Sequence, residues 1–215
     1  MKAYIFDLDG TLLDSMGVWD DIDTAFLQKR GITVPPDYAD AIAPMTFAET
    51  AAYTIERFGL SERPESLMRE WRDMAIDIYS NSVELKPYAK ELLLTLRERG
   101  VPLAVATSAT EAVFRPALRR HGIHDLFDVI CTSEEAGYGK TRPDVFLLTA
   151  KKLGVSPHDC IVFEDILAAI KSAKSVGMTV YGVYDEGSKH DWEEIKRTAD
   201  GVIYDFRDVD VPLYI

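Results

Sequence analysis

The sequence predicts an α/β fold, a parallel sheet with helices on both faces and an all-helical segment inserted after its first strand. Three observations predict it. A short apolar run at residues 2–6 stops at Asp7 and Asp9, in AYIFDLDGTLLD. No further strand-like run appears until VPLAVAT at 101–107, and the residues between read as helices. From 101 onward strand and helix patterns alternate, the signature of a parallel sheet covered on both sides in a Rossmann-like core.

The elements follow in order. Within the insertion, taken as 14–86, Val18, Trp19, Ile22, Ala25 and Phe26 mark one face of a first helix ending near Gly31. The prolines at 35–36 mark a turn, and 48–58 and 67–79 read as two more helices. The core is then 1–13 with 87–215. Pro87 opens a helix through Arg99, stopped by Gly100. After the strand at 101–107 comes a helix over 112–121, then a strand at 128–132 (DVICT) and a helix over 143–153 closed by Gly154. CIVF at 160–163 is a strand and 166–176 a helix closed by Gly177. TVYGVY at 179–184, a helix around 192–197 and GVIY at 201–204 complete the chain.

Composition narrows the function. The chain has 215 residues, of which 47% are hydrophobic, and a net charge of −12 from 36 acidic and 24 basic residues. That balance argues against a nucleic-acid backbone as partner, which needs clustered Lys and Arg. No apolar run reaches membrane-spanning length, and no secretory pattern opens the sequence, so a cytoplasmic protein without membrane contact is expected. Cys131 and Cys160 lie in separate apolar runs and are expected as buried thiols; the four histidines show no metal spacing.

In an open parallel sheet, ligands bind beyond the carboxyl ends of the strands. Asp7-Leu8-Asp9-Gly10-Thr11 follows the first strand, Thr107 and Ser108 the second, Lys140 the third, and Glu164-Asp165 the fourth. In extended chain, residues two apart point the same way, so Asp7 and Asp9 face one pocket. Two carboxylates ~4 Å apart repel by about 4 kcal/mol at an effective dielectric of 20. Protonation of one, or a bound cation, relieves this. An oxygen-rich cluster of this kind suits Mg²⁺, which also clamps phosphate oxygens. The calcium-loop pattern fails, since no spaced ligands or distal Glu follow Gly10.

The ordered set DLDGT, the strand ending in Thr107, Lys140 in GKTRPDVF, and VFED closely resembles the haloacid dehalogenase-like hydrolase superfamily over essentially the whole chain. The insertion sits where the subgroup containing β-phosphoglucomutase and phosphoglycolate phosphatase carries its helical cap. The resemblance implies that Asp7 is the nucleophile, forming an aspartyl-phosphate, and that Asp9 is the general acid and base. It implies that Thr107, helped by the Ser108 backbone, and Lys140 bind the phosphoryl group. It also implies that Mg²⁺ is held by Asp7, the Asp9 carbonyl and Asp165, with Glu164 a further ligand.

Departures from the pattern refine the expectation. Ile166 and Ala169 stand where relatives usually have Ser and Gly. Trp19 stands where β-phosphoglucomutase-like proteins carry a histidine, and an arginine expected near Phe47 is absent. Trp19, Met45 and Phe47 are therefore expected to form an apolar cap wall facing the leaving group, the alternative being simple packing among cap helices. Asp9 favours phosphate chemistry over carbon–halogen cleavage, and the cap lysines, Lys29 and Lys86, stand outside the region where phosphonatases carry their Schiff-base lysine. The expectation is a Mg²⁺-dependent phosphatase of a small phosphorylated metabolite, a monomer or weak dimer. The rivals are a phosphosugar mutase and a non-catalytic binding protein.

Overall fold

The computed structural model describes residues 2–42 and 47–209. Strand β1 (Ala3–Phe6) leads through a tight loop into β2 (Leu13–Asp14), followed by helices α1 (Met16–Gln28), α2 (Tyr38–Ile42), α3 (Phe47–Phe58) and α4 (Pro64–Asn81). Strand β3 (Glu84–Leu85) returns the chain to α5 (Ala89–Glu98), β4 (Leu103–Thr107), α6 (Glu111–Arg120) and β5 (Val129–Thr132). Then come α7 (Ser133–Ala136), α8 (Asp144–Leu153), β6 (Cys160–Glu164), α9 (Leu167–Ser175), β7 (Thr179–Val183), α10 (Trp192–Thr198) and β8 (Gly201–Ile203).

Six strands form one sheet in the order β5-β4-β1-β6-β7-β8, with every pairing parallel. The period of two along β1 sorts its side chains between two cores. Tyr4 and Phe6 pack with Leu92, Leu93 and Leu96 of α5 and Val113 and Phe114 of α6. Ile5 packs on the opposite face with Val145 and Phe146 of α8 and Ile170 of α9. The first of these clusters runs on through Leu12 and Leu13 to Phe26, Trp71 and Tyr79, so the sheet and the helices inserted after β1 share one apolar body.

Several details depart from the sequence reading. Leu13–Asp14 and Glu84–Leu85 pair as a two-stranded antiparallel ribbon in a stretch read as entirely helical. The α2 turn and α7 also went unforeseen, and α4 begins at Pro64, a residue suited to the first helical position, where its missing N–H is no loss. On α1, Ala25 faces solvent and Leu27 is buried in its place. Both cysteines are buried and free, as expected. Among the described residues no helix is long and apolar enough to cross a membrane.

Asp23 introduces a pH dependence into the packing of α1. It is half-buried on α1, and burial, with like charge from Asp20 added, pushes its carboxyl from 3.8 up to about 7. A carboxyl raised by folding is neutral, and costs nothing, below its unfolded pKa. The penalty grows as pH rises through that interval and is complete above about 7. Asp23→Asn is therefore expected to melt above the parent at pH beyond about 7, by roughly 1–3 kcal/mol after discounting for partial solvation, and level with it below about pH 4. Thermal melts of both proteins across that range check it; a gain that is the same at both ends contradicts it.

Candidate active site

Strand order decides where the site lies. The chain leaves β1 for β4 and β5 on one side and returns to β6 on the other. This reversal opens the crevice beyond the β1 and β6 carboxyl ends, the usual ligand position in such sheets. Asp7 directly follows β1, its amide donating to the Phe163 carbonyl at 3.0 Å. Glu164 ends β6 and Asp165 follows it. Carboxylate oxygens of Asp7, Glu164 and Asp165 all lie within 4.8 Å of one another, and all three residues are buried.

The cluster is held by few positive groups. The Lys140 ammonium, reaching in from the turn after α7, donates to Asp7 Oδ1 and, at 2.8 Å, to Glu164 Oε2. Glu164 Oε1 accepts the Ile166 amide at 3.1 Å, so both its oxygens are engaged. Asp165 Oδ1 accepts the Thr11 hydroxyl at 3.1 Å. Asp165 Oδ2 is buried with no hydrogen-bond partner. Burial raises Asp7 to about 8, with Glu164 and Asp9 adding to the rise and Lys140 opposing it. Asp165 is raised well above the usual range, again by burial and then by Glu164 and Asp7. Burial works against the charge on Lys140 too, but Asp7 and Glu164 outweigh it and hold the ammonium above its ordinary value. A buried, partnerless carboxylate oxygen beside two further carboxylates is a donor set that fits a hard divalent cation.

Asp9 behaves differently from its neighbour. Gly10 at φ 82° turns the loop sharply, and Leu8 is fully buried beneath it. The Asp9 carboxylate is excluded from the three-carboxylate cluster: its Oδ1 accepts the Ser15 hydroxyl at 2.6 Å and the Tyr79 hydroxyl. Beside the protonation or bound cation expected to relieve the Asp7 and Asp9 charges, different protein groups reach each carboxylate. Lys140 serves Asp7, and two hydroxyls serve Asp9. Burial raises the Asp9 carboxyl, with the Ser15 and Tyr79 hydrogen bonds lowering it in part.

The remaining expected residues divide. Thr107 is fully buried at the end of β4, where its Oγ1 accepts the Ala109 amide at 3.0 Å and keeps its own O–H for another acceptor. Ser108 is exposed, its hydroxyl 3.1 Å from that of Ser133. The rings of Trp19 and Phe47 lie 6.4 Å apart, edge to face, and Trp19 is also 6.4 Å from Tyr79. Met45 lies outside the described residues.

Tyr79, Ser15 and Thr11 were not singled out from sequence. Ser15 sits where a helix N-cap belongs but makes no capping hydrogen bond, because its hydroxyl goes to Asp9. Tyr79 ends the buried stripe Leu67–Trp71–Ala75–Tyr79 along α4, where a hydroxyl terminating an apolar face was the available signal.

The description of the matching family model is haloacid dehalogenase-like hydrolase, and it covers residues 1–177. The chain belongs to the haloacid dehalogenase-like hydrolase family. Relatives of this hydrolase carry phosphatase names. It is 33% identical over 197 residues to the beta-phosphoglucomutase of Bacillus subtilis, covering 85% of this chain and 83% of that one. It is 31% identical over 183 residues to the bifunctional riboflavin kinase/FMN phosphatase of Arabidopsis thaliana, covering 85% of this chain and 48% of that protein, so the hydrolase spans about half of that relative. Its fold matches the crystal structure of CbbY from Rhodobacter sphaeroides in complex with phosphate, at TM-score 0.84 and 21% identity over 97% of this chain and 96% of the other.

Proposed function

We propose that this hydrolase is a Mg²⁺-dependent phosphatase that cleaves a small phosphorylated metabolite through an aspartyl-phosphate on Asp7. The observation that carries the reading is the Asp7 carboxylate at the sheet's switch point, with Lys140 on one oxygen and the unpartnered Asp165 Oδ2 in the same cluster.

The residues divide the work. Lys140 offsets charge on Asp7 and on the incoming phosphoryl group, and its two carboxylate partners hold the ammonium in place. The Asp7 oxygen attacks phosphorus and displaces the alcohol. Asp9 donates a proton to the departing oxygen, then accepts one from the water that attacks the aspartyl-phosphate. The free O–H of Thr107, with the Ser108 amide, binds phosphoryl oxygens. Mg²⁺ would be held by Asp7, Asp165 and the Asp9 carbonyl, with Glu164 the weakest candidate because both its oxygens are taken; when bound, the ion neutralises phosphoryl charge. Trp19 and Phe47 would then present the cap's apolar wall to the leaving group. The boundaries 14–86 for the cap are supported by the β2–β3 ribbon, which ties the two crossing points together. Such metabolite chemistry suits the cytoplasmic setting expected from the sequence.

A phosphosugar mutase is the second reading, favoured by the likeness to the Bacillus subtilis beta-phosphoglucomutase. One experiment separates the two. Purified protein with Mg²⁺ is screened against a phosphorylated-metabolite library, scoring inorganic phosphate and isomer together. The expected result is net phosphate release that stops in excess chelator. Isomer formation without net phosphate would move the chain to the mutases, and undiminished turnover in chelator would remove the metal.

A further inference from the structure

Asp9 belongs to the loop after β1, whereas one of the two hydroxyls on its carboxylate belongs to the cap. Tyr79 sits on α4, fully buried, and reaches across to Asp9 Oδ1; Ser15, between β2 and α1, donates to that same oxygen at 2.6 Å. The ring of Trp19 packs 6.4 Å from that of Tyr79 and holds it from the α1 side. With both hydroxyls donating to Oδ1, that oxygen's acceptor sites are filled. A carboxylic acid in this setting keeps its hydrogen on the other oxygen.

We propose that Tyr79 is a positioning residue for Asp9: by sharing Oδ1 with Ser15 it confines the acid proton to Oδ2 and orients that oxygen for transfer to the leaving group. The inference rests on the reading of Asp9 as general acid. In the step concerned, Asp7 forms its bond to phosphorus as the bond from phosphorus to the alcohol oxygen breaks. The Asp9 Oδ2 proton passes to that oxygen, and Asp9 is left as a carboxylate. The Tyr79 hydroxyl then donates to a charged acceptor, a stronger hydrogen bond than the one to the neutral acid. Its contribution is therefore greater after proton transfer than before, which is the condition for accelerating the step. Because the hydroxyl comes from the cap, this assistance exists only while α4 rests against the loop after β1.

The test uses leaving groups of different basicity. An alkyl alkoxide needs the proton to depart, whereas p-nitrophenolate departs without it. In the full-length protein with Mg²⁺, Tyr79→Phe is expected to lower kcat/KM for alkyl phosphates by ~10–100-fold, the worth of one hydrogen bond to a charged group, and for p-nitrophenyl phosphate by less than about threefold. An equal fall on both classes would mean that Tyr79 only supports the fold, and no fall on either would mean that it does nothing for Asp9; both overturn the proposal. Should Tyr79→Phe fail to fold, Ser15→Ala removes the other donor from the same oxygen and reads the same contrast, with an equal effect on both ester classes again overturning it. Asp9→Asn in parallel isolates the underlying reading. If it too leaves the alkyl-to-aryl ratio unchanged, Asp9 is not the acid and that reading fails; if it shifts the ratio and the two hydroxyl variants do not, the positioning role alone is lost.

Discussion

Asp7→Asn is expected to retain the fold and lose phosphatase activity by at least ~10⁴-fold, the scale on which removal of a nucleophile acts. The substitution is isosteric, and Asp7 is 5% exposed, so nothing in the packing need change. It removes one of three carboxylates that lie within 4.8 Å of one another, which relieves repulsion, while Lys140 keeps Glu164 as an ion-pair partner at 2.8 Å. The melting temperature should therefore hold or rise as the rate collapses. An amide oxygen is too weak a nucleophile to take the phosphoryl group, and hydrogen-bonding and metal-binding groups left in place do not substitute for a bond-forming atom. Hydrolysis of p-nitrophenyl phosphate, with a thermal melt of the same sample, measures both quantities. Equal turnover in parent and variant would place the chain among non-catalytic members of its fold.

The sheet was legible because it is buried on both faces, which gives its strands near-continuous apolar runs and its helices clear glycine stops. Asp7 and Asp165 directly follow strands, Thr107 ends one and Lys140 lies in the segment after another, and strand ends are where such sheets place chemistry, so these positions stood out. The two-residue strands Leu13–Asp14 and Glu84–Leu85 are too short to show any period, so the ribbon tying the cap's two ends together was invisible. Tyr79 and Ser15 were hidden for a different reason. Each obeys a local rule, one as the end of a helix stripe and the other as a helix-start serine, and only the folded chain shows both hydroxyls directed to Asp9. The separate partners of Asp7 and Asp9 were hidden in the same way, because spacing along the chain does not say which side chains reach each carboxylate.

Lys140→Ala should injure stability and catalysis together, and Mg²⁺ should separate the two effects. The lysine side chain is 11% exposed and pairs with the carboxylates of Asp7 and Glu164, which are 7% and 0% exposed. Without it the cluster keeps its negative groups and loses its only cationic side-chain partner among the described residues. Breaking a buried pair from one side costs ~3–5 kcal/mol, because the remaining charge is left without compensation. For a chain of this size that is a fall of roughly 10 °C in melting temperature. The carboxyl groups can escape part of the penalty by staying protonated, so the loss should be smaller in acid and grow as pH rises. Added Mg²⁺ should restore much of the stability, since a cation among the same carboxylates supplies the missing charge and binds only the folded state. It should not restore the rate. In the proposed mechanism Lys140 is itself a donor to the phosphoryl group, which a cation bound by the carboxylates would not replace, and a lost donor at a developing negative charge costs ~10²–10³ in kcat. Lys140→Arg should fare little better, because a planar fork cannot stand in for a compact ammonium wedged between two carboxylates. Full recovery of both melting temperature and turnover on adding Mg²⁺ to Lys140→Ala would show that the lysine supplies charge alone, and would remove it from the phosphoryl-binding groups.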